Sequence, residues 1–442
     1  MINVSVVSFC IVGFLLLENV LRKSDFFSPA RIYFFFQSLA LGIAFLGFDK
    51  AMTPFKPLTS LVYFGSAFCF LMGTWITSLV VGKPEESPAD QKPFDLGRYN
   101  WKLHLILALC LFAFFLFGTI GLYRGSGGFP VLAKDKTKVL FAFLHQPWIF
   151  LHAYTFGGII LALFAMAIFR PRRLPKILAP ETWIVIAIVV VSTLALQRTA
   201  IMFFVFFTIV FYNHAVRRLS VGKLFRIFVP CLLIILVTGY MKAFDNEHMH
   251  FKNPAKAAQA VLKIPYMYLA NGFWNLDYAL NPEDFQEGHP TTYGFTITEG
   301  VWDGILVPGG IFGYMIRDHT HIDDPFNIRS TKVKGWNVVG YQWPLYKDFG
   351  LAGVLLGTFL IGMMLNLLYL RMLRSRTMLN LAAYSFMSYW LANSYLSSIF
   401  ESPGYAWGFL YMCVCCYLGQ RLFRQENVSP VQTALPLPQA SA

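Results

Sequence analysis

The sequence predicts an all-α polytopic membrane protein with about eleven transmembrane helices and one large outer loop of short helices. Of its 442 residues, 56% are hydrophobic and 13% are charged, whereas soluble globular domains carry about a quarter charged residues. The apolar residues gather in runs, and about 20 apolar residues are needed to cross the hydrocarbon core of a bilayer. This composition excludes a soluble globular chain and a disordered one.

Eleven apolar runs are predicted to span the membrane. In chain order they cover residues 3–21, 32–48, 59–81, 102–122, 147–169, 182–197, 199–216, 226–241, 349–370, 379–399 and 405–420. No small-residue cleavage site follows the first run, which predicts a retained helix and not a signal peptide. Only Gln197 and Arg198 separate the sixth run from the seventh, which predicts a tight turn with Arg198 at its tip.

The basic residues orient these spans. Short loops on one side hold 20 of the 36 Lys and Arg residues, and nine of the other 16 lie in one long segment, 242–348. Short cytoplasmic loops are enriched in Lys and Arg, so the first side is predicted to be cytoplasmic. The C-terminus then lies in the cytoplasm and, with eleven spans, the N-terminus lies outside.

This pattern divides the chain into four parts. Residues 1–241 form an N-terminal transmembrane bundle of about eight helices, and residues 242–348 form the large outer loop. Residues 349–424 form the C-terminal transmembrane helices, and residues 425–442 form a disordered cytoplasmic tail. The loop lacks an apolar run of spanning length but is rich in aromatic residues, so short amphipathic helices and ordered loops are expected there.

Arg198 is the first candidate for chemistry. Its guanidinium group offers a planar fork of donors that suits phosphate and pyrophosphate. An arginine between two apolar helices either faces an anion or a cavity, or extends its head group to the membrane surface. The sequence alone favours neither interpretation.

Two outer segments carry further cations. Residues 329–335 contain Arg329, Lys334 and small donors, a pattern that predicts either an anion-binding loop or an ordinary solvated turn. The segment Tyr123–Gln146 has four bases against one acid, a net charge of +3, and includes Lys136. These cations are candidate phosphate ligands.

The stretch Trp343–Gly350 lies directly before the ninth run and contains Tyr346 and Asp348. Aromatic residues there are also ordinary anchors at the membrane interface. Asp348 would either cap the following helix through its exposed amides or act in catalysis.

In the stretch Asn271–Tyr278, polar and aromatic residues alternate with apolar ones, the pattern that sugar rings require. Aromatic rings stack on the C–H faces of sugars, while amides and carboxylates bond the hydroxyl groups. An amphipathic helix at the interface would have similar residues, and that alternative remains open. The candidates are Asn271, Trp274, Asn275 and Asp277.

Metal and nucleotide sites are not predicted. His319 and His321 stand near three aspartates but lack the helical spacing of zinc proteases, and a divalent-ion site is a minor alternative there. The chain has no P-loop, no GxGxxG motif before a strand and no GxSxG elbow. All seven cysteines lie in apolar runs, where they are expected to pack as small apolar side chains.

The turn Leu196–Ala200 with its arginine, the large outer loop and the run from Gly335-Trp336-Asn337 through Tyr346–Gly353 resemble the Wzy-type oligosaccharide repeat-unit polymerases. This family includes the O-antigen polymerases and is related in its GT-C architecture to O-antigen ligases. The resemblance covers most of the chain in layout, and the Arg-Thr turn and the Tyr-x-Asp-Phe-Gly-x-x-Gly stretch in residues.

The resemblance implies a multi-pass glycosyltransferase of the bacterial inner membrane that works on the periplasmic face. It would transfer a growing glycan from undecaprenyl pyrophosphate onto an incoming lipid-linked repeat unit, without a cofactor and without nucleic acid. Expected partners are the lipid-linked oligosaccharide, membrane lipids, a chain-length regulator and a flippase. An O-antigen-ligase-like transferase and a lipid-linked oligosaccharide flippase are the alternatives, although a transporter should carry charges within its spans.

The expected site follows from these candidates. Arg198 is expected to bind the donor pyrophosphate and to act in catalysis, and Asp348, Asp277 or an outer histidine is expected to act as the base. The remaining pyrophosphate ligands are expected to be Arg329, Lys334 and Lys136, and the glycan ligands Asn271, Trp274, Asn275, Tyr346 and Trp336.

Overall fold

A computed structural model of the chain describes residues 2–22, 24–48, 54–82, 99–129, 142, 148–170, 178–194, 198–220, 222–224, 226–227, 254–281, 339–396 and 403–426. Across these residues the secondary structure is helical and contains no strand, which confirms the all-α class. In chain order the main helices are α1 (Ile2–Arg22), α2 (Pro29–Ala44), α3 (Pro57–Val81), α4 (Trp101–Ser126), α5 (Trp148–Thr155), α6 (Gly157–Ile168), α7 (Pro180–Leu194), α8 (Arg198–Ala215), α9 (Pro254–Leu280), α10 (Gln342–Ser375), α11 (Met378–Asn393) and α12 (Pro403–Glu426).

Local sequence explains several of these boundaries. Proline occupies the first turn of α2 and of α3, where its missing N–H group costs no hydrogen bond. The side chain of Asn100 accepts a hydrogen bond from the N–H of Leu103 at 3.1 Å and so caps the start of α4. Thr377 caps α11 in the same way through the N–H of Asn380.

Four of the described helices are long and apolar enough to cross a membrane, as in α-helical membrane proteins: Val4–Arg22, Pro57–Val81, Trp101–Ser126 and Gln342–Ser375. Shorter apolar helices cover Ala153–Ile168, Pro180–Leu194 and Thr199–Ala215. The predicted run 147–169 is two helices that meet at Phe156. The predicted run 226–241 lies almost wholly outside the described residues, so the number of eleven spans stays a prediction.

The bundle has a buried centre and an apolar rim. Nearly every described residue of α6 and α11 is buried, because α4, α7 and α8 surround α6 while α2, α8, α10 and α12 surround α11. By contrast, α1 and α3 expose large apolar side chains such as Phe14, Leu17, Trp75 and Leu79. In a bilayer these side chains would contact lipid.

Two glycines let α3 and α10 approach closely and run parallel to each other. A Cβ atom at Gly73 would collide with the carbonyl oxygen of Phe359, and one at Gly362 would lie 2.5 Å from the carbonyl oxygen of Phe70. The amide of Asn366 on α10 then donates to the carbonyl oxygen of Thr74 at 2.8 Å. This contact is one of the polar links that hold the pair together.

Helix α10 is broken near its start. Gly350 has φ of 64° and ψ of −157°, values open to glycine but not to an L-residue in a helix. A Cβ atom at Gly357 would lie 2.5 Å from the side chain of Leu345, although twelve residues of continuous helix would separate the two by about 18 Å. Residues 342–349 therefore fold back along the rest of α10. Residues 339–350 are called the arm below.

The two ends of the bundle are named here by α2. The lower end is where α2 begins at Pro29, and the upper end is where it finishes at Ala44. Helix α9 lies at the upper end, because the hydroxyl of Tyr266 donates to the carbonyl oxygen of Ala44 at 2.9 Å. It is 27 residues long, longer than the short helices expected in the outer loop, and it packs on α2, α3 and α10. The four-part division of the chain stays a prediction.

Candidate functional site at the upper end of the bundle

The arm carries a polar backbone and side chains into the helix bundle. The Tyr341 hydroxyl lies 3.1 Å from the hydroxyl of Tyr33, and the Tyr341 N–H donates to the carbonyl oxygen of Ser394 at 2.9 Å. The Gln342 amide donates to the hydroxyl of Ser66 at 3.5 Å. Non-helical backbone inside a membrane protein requires partners within the protein, and the residue after α11 supplies one for the N–H of Tyr341, while α2 and α3 contact the side chains of the arm.

A second set of contacts extends this network toward α2. The amide of Gln37 donates to the hydroxyl of Ser394 at 2.9 Å, and the hydroxyl of Tyr63 donates to the carbonyl oxygen of the Gln37 side chain at 3.2 Å. All three side chains are buried. These hydrogen bonds fix the end of α11, against which the arm packs.

Asp348 and Lys347 are the charged residues of the arm. The Asp348 side chain is 1% exposed and Lys347 is also buried. Asp348 stands two residues before the break at Gly350, within the helical part of the arm. A buried carboxylate is costly unless the fold or a ligand compensates it, so this position is a candidate for chemistry. The structure leaves its two predicted roles, capping and catalysis, open.

Helix α9 presents three of the predicted glycan ligands to the protein interior. Asn271, Trp274 and Asn275 are buried, with Asn271 0% exposed. A Cβ atom at Gly272 would collide with the carbonyl oxygen of Tyr395, and one at Gly340 of the arm would lie 3.5 Å from the same atom. Helix α9 and the arm therefore meet at the segment that follows α11.

Three polar atoms on this part of α9 stand out. The amide nitrogen and oxygen of Asn271 and the indole nitrogen of Trp274 are buried without a hydrogen-bond partner in the described part of the chain. Most buried polar groups in proteins are hydrogen-bonded, so each such atom needs an explanation. The sequence alone does not show which buried polar atoms lack hydrogen-bond partners.

Asp277 has a structural contact. Its carboxylate accepts a hydrogen bond from the N–H of Lys56 at 3.0 Å, which links α9 to the start of α3. One turn later, the amide of Asn281 donates to the hydroxyl of Thr59 at 3.4 Å. Tyr346, another predicted glycan ligand, is partly exposed, and its ring stacks on Trp343 with centroids 6.4 Å apart.

The side chains of five predicted site residues lie outside the described structure. Arg198 begins α8, at the same end of the bundle as the arm, since the Tyr389 hydroxyl near the end of α11 donates to the carbonyl oxygen of Thr199 at 3.4 Å. Its side chain lies outside the described structure, as do Lys136, Arg329, Lys334 and Trp336, and also His319 and His321. Among described residues no group of three His, Cys, Asp or Glu side chains could hold a metal ion.

The lower end contains a polar cluster that the sequence did not predict. The buried carboxylate of Asp25 accepts hydrogen bonds from the Tyr369 hydroxyl at 2.7 Å and from the N–H of Phe27 at 3.1 Å. The His214 imidazole lies 3.7 Å from the same carboxylate, and the Tyr384 hydroxyl donates to the carbonyl oxygen of Phe27. These five residues are called the lower cluster below.

Comparison of the chain with known protein families, with characterised proteins and with solved structures found no match.

Proposed function

We propose that this chain polymerises undecaprenyl-pyrophosphate-linked oligosaccharide repeat units. In this proposal it is a multi-pass protein of the bacterial inner membrane, with about eleven spans and a large periplasmic loop. The growing glycan moves from its lipid pyrophosphate onto the incoming repeat unit at the periplasmic face, which is the upper end of the bundle.

The observation that supports the proposal is the fold of the arm. The Tyr-x-Asp-Phe-Gly-x-x-Gly stretch, on which the family resemblance depends, spans the break at Gly350 where the chain folds back, and Lys347 and Asp348 within it are buried. The fold requires glycine at both glycine positions of the stretch. Gly350 adopts a positive φ, and a Cβ atom at Gly353 would lie 2.6 Å from the carbonyl oxygen of Leu345. The stretch buries Asp348 at the same end of the bundle as Arg198, which begins α8.

This arrangement suits transfer from a pyrophosphate leaving group. Negative charge grows on the pyrophosphate in the transition state, so a fixed guanidinium group stabilises that state more than the ground state. Arg198 is proposed for this role, assisted by Arg329, Lys334 and Lys136. The acceptor hydroxyl needs a base within hydrogen-bond reach, for which Asp348 is proposed ahead of Asp277 because Asp348 lies in the stretch on which the family resemblance depends.

The direct test supplies purified protein with a synthetic undecaprenyl-pyrophosphate repeat unit alone and follows the products on a gel. We expect a ladder of lengthened lipid-linked glycans and release of undecaprenyl pyrophosphate. Folded protein that makes no ladder would contradict the proposal. Transfer to a separately added acceptor would then indicate the ligase alternative, and movement of the substrate across liposomes would indicate the flippase.

Variants of Arg198 test the role of the guanidinium group. We expect Arg198→Ala to lower polymer formation about a hundred- to a thousandfold, the typical cost of removing one preorganised group that stabilises transition-state charge. Arg198→Lys should recover only part of the activity, because a point charge loses the two-pronged geometry. Protein abundance and melting temperature serve as controls, and full activity of Arg198→Ala would remove this residue from the mechanism.

A further inference from the structure

Helix α9 has two faces with different contacts. One face packs against α2, α3 and the segment after α11, through contacts of Tyr266, Gly272, Phe273 and Asp277. Asn271 makes none of these contacts with the described residues, so the docking of α9 does not depend on its amide.

The amide of Asn271 is therefore unexplained by packing. A leucine has the same branching at Cγ and, although its methyl groups are larger, it would bury no unpaired polar atoms. Trp274 stands three residues later, one turn along the helix, and its indole N–H is likewise buried and unpaired within the described structure. Residues three apart lie on the same side of a helix, so the two groups face one region.

The chemistry of these groups indicates the class of ligand. Together they provide one strong acceptor, the amide oxygen, and donors from the amide nitrogen and the indole. An anion would engage only the N–H donors and a metal cation only the amide oxygen, so either would leave part of this set unpaired. A pair of neighbouring hydroxyl groups fits, because each hydroxyl donates one hydrogen bond and accepts others.

We propose that Asn271 and Trp274 form a subsite that binds neighbouring hydroxyl groups of one sugar ring. The identity of that ring as part of a lipid-linked glycan rests on the proposed function, but the subsite itself rests on the unpaired buried atoms. Because Asn271 is 0% exposed, a sugar reaches it only when α9 shifts from its contact at Tyr395. Sugar binding then replaces the missing hydrogen bonds.

The test uses the full chain in detergent, titrated with a panel of free hexoses and N-acetylhexosamines and with sodium pyrophosphate, while its melting temperature is followed. We expect at least one sugar to raise the melting temperature of the wild type. Asn271→Leu should weaken the apparent sugar affinity at least tenfold, and Trp274→Phe, which keeps the ring but removes the N–H group, should weaken it about threefold. Any shift caused by pyrophosphate should be the same in all variants.

A matched control separates binding from structure. Asn366 is also a buried asparagine, but its amide donates to the carbonyl oxygen of Thr74 and to the hydroxyl of Ser78, both at 2.8 Å. Both leucine variants add the same volume, so their difference reports the lost hydrogen bonds, and without sugar Asn366→Leu should lower the melting temperature more than Asn271→Leu does. A ligand-binding amide combines the smaller loss of stability with lost sugar affinity when replaced, whereas a structural amide does not.

The outcomes distinguish this proposal from the polymerase itself. If the wild type responds to sugar and Asn271→Leu does not, the subsite stands even if no polymer forms. If no sugar in the panel shifts the wild type, or if Asn271→Leu responds as the wild type does, the subsite is overturned even if polymer forms. An ordered water in the same place would give the first of these overturning results.

Discussion

The two polar clusters of the bundle differ in how their buried groups are satisfied. At the lower end, the carboxylate of Asp25 receives hydrogen bonds from Tyr369 and Phe27 and has His214 beside it. At the upper end, Asn271 and Trp274 keep buried polar atoms without partners in the described part of the chain. The Asp25 carboxylate links α8 and α10, whereas the Asn271 amide links no helices in the described part of the chain, so burial alone does not identify a functional residue.

The largest effect on stability is expected at the lower cluster. Asp25→Ala removes the acceptor of two buried hydrogen bonds and the partner of His214, and we expect it to lower the free energy of unfolding by about 3 kcal/mol. Tyr369→Phe removes one of these hydrogen bonds and should cost about 1 kcal/mol. Thermal melting in detergent measures both.

Sugar binding and polymer formation per folded molecule should stay unchanged in Asp25→Ala, because this cluster lies at the opposite end from the arm. A melting curve of Asp25→Ala that matches the wild type would contradict a stabilising role of the lower cluster, and with it the difference proposed between the two ends. A loss of activity without loss of stability would give the lower cluster a role in function.

The next effect concerns the two acids of the upper end. Asp348→Asn should lower polymer formation about a hundredfold, the lower range for loss of a general base and about 2.7 kcal/mol in the barrier. Asp277→Asn keeps an oxygen that accepts the N–H of Lys56, so polymer formation should stay within about threefold of the wild type if its role is structural. Rates measured at saturating repeat unit give both values, and the reverse order of effects would assign the base to Asp277.

A smaller effect is expected where the arm folds back on α10. Gly353→Ala places a methyl group against the carbonyl oxygen of Leu345 and should cost about 1–2 kcal/mol of stability through overpacking. Gly13 on α1 is the matched control, since no atom lies within 4 Å of a Cβ atom built there. Melting temperatures that are equal for Gly353→Ala and Gly13→Ala would mean that the arm does not fold back.

Hydropathy predicted the helical class and the positions of α3 and α4 to within a few residues, because runs of apolar side chains are a local property. It placed the start of the ninth run at residue 349, where the second part of α10 begins after Gly350. The fold-back of residues 342–349 was not predicted. A glycine before an apolar run predicts where the run begins. It does not predict whether the residues before it lie in solvent or pack within the bundle.

The candidate site was predicted in part. The alternation of polar and aromatic residues selected Asn271 and Trp274, but the absence of partners for their polar atoms depends on residues distant in sequence. Asp25 was missed because an aspartate between two apolar runs looks like an ordinary loop residue. Its partners lie on α8 and on α10, and only the packed bundle brings them to it.

The docking of the arm also dictates an order of assembly. The N–H of Tyr341 bonds to the carbonyl oxygen of Ser394, which is synthesised only after the whole of α10 and α11. The contacts of the arm on α2 and α3 are synthesised before it, but until α11 is made the Tyr341 N–H group lacks its acceptor. The arm therefore completes its docking only after α11 is in position.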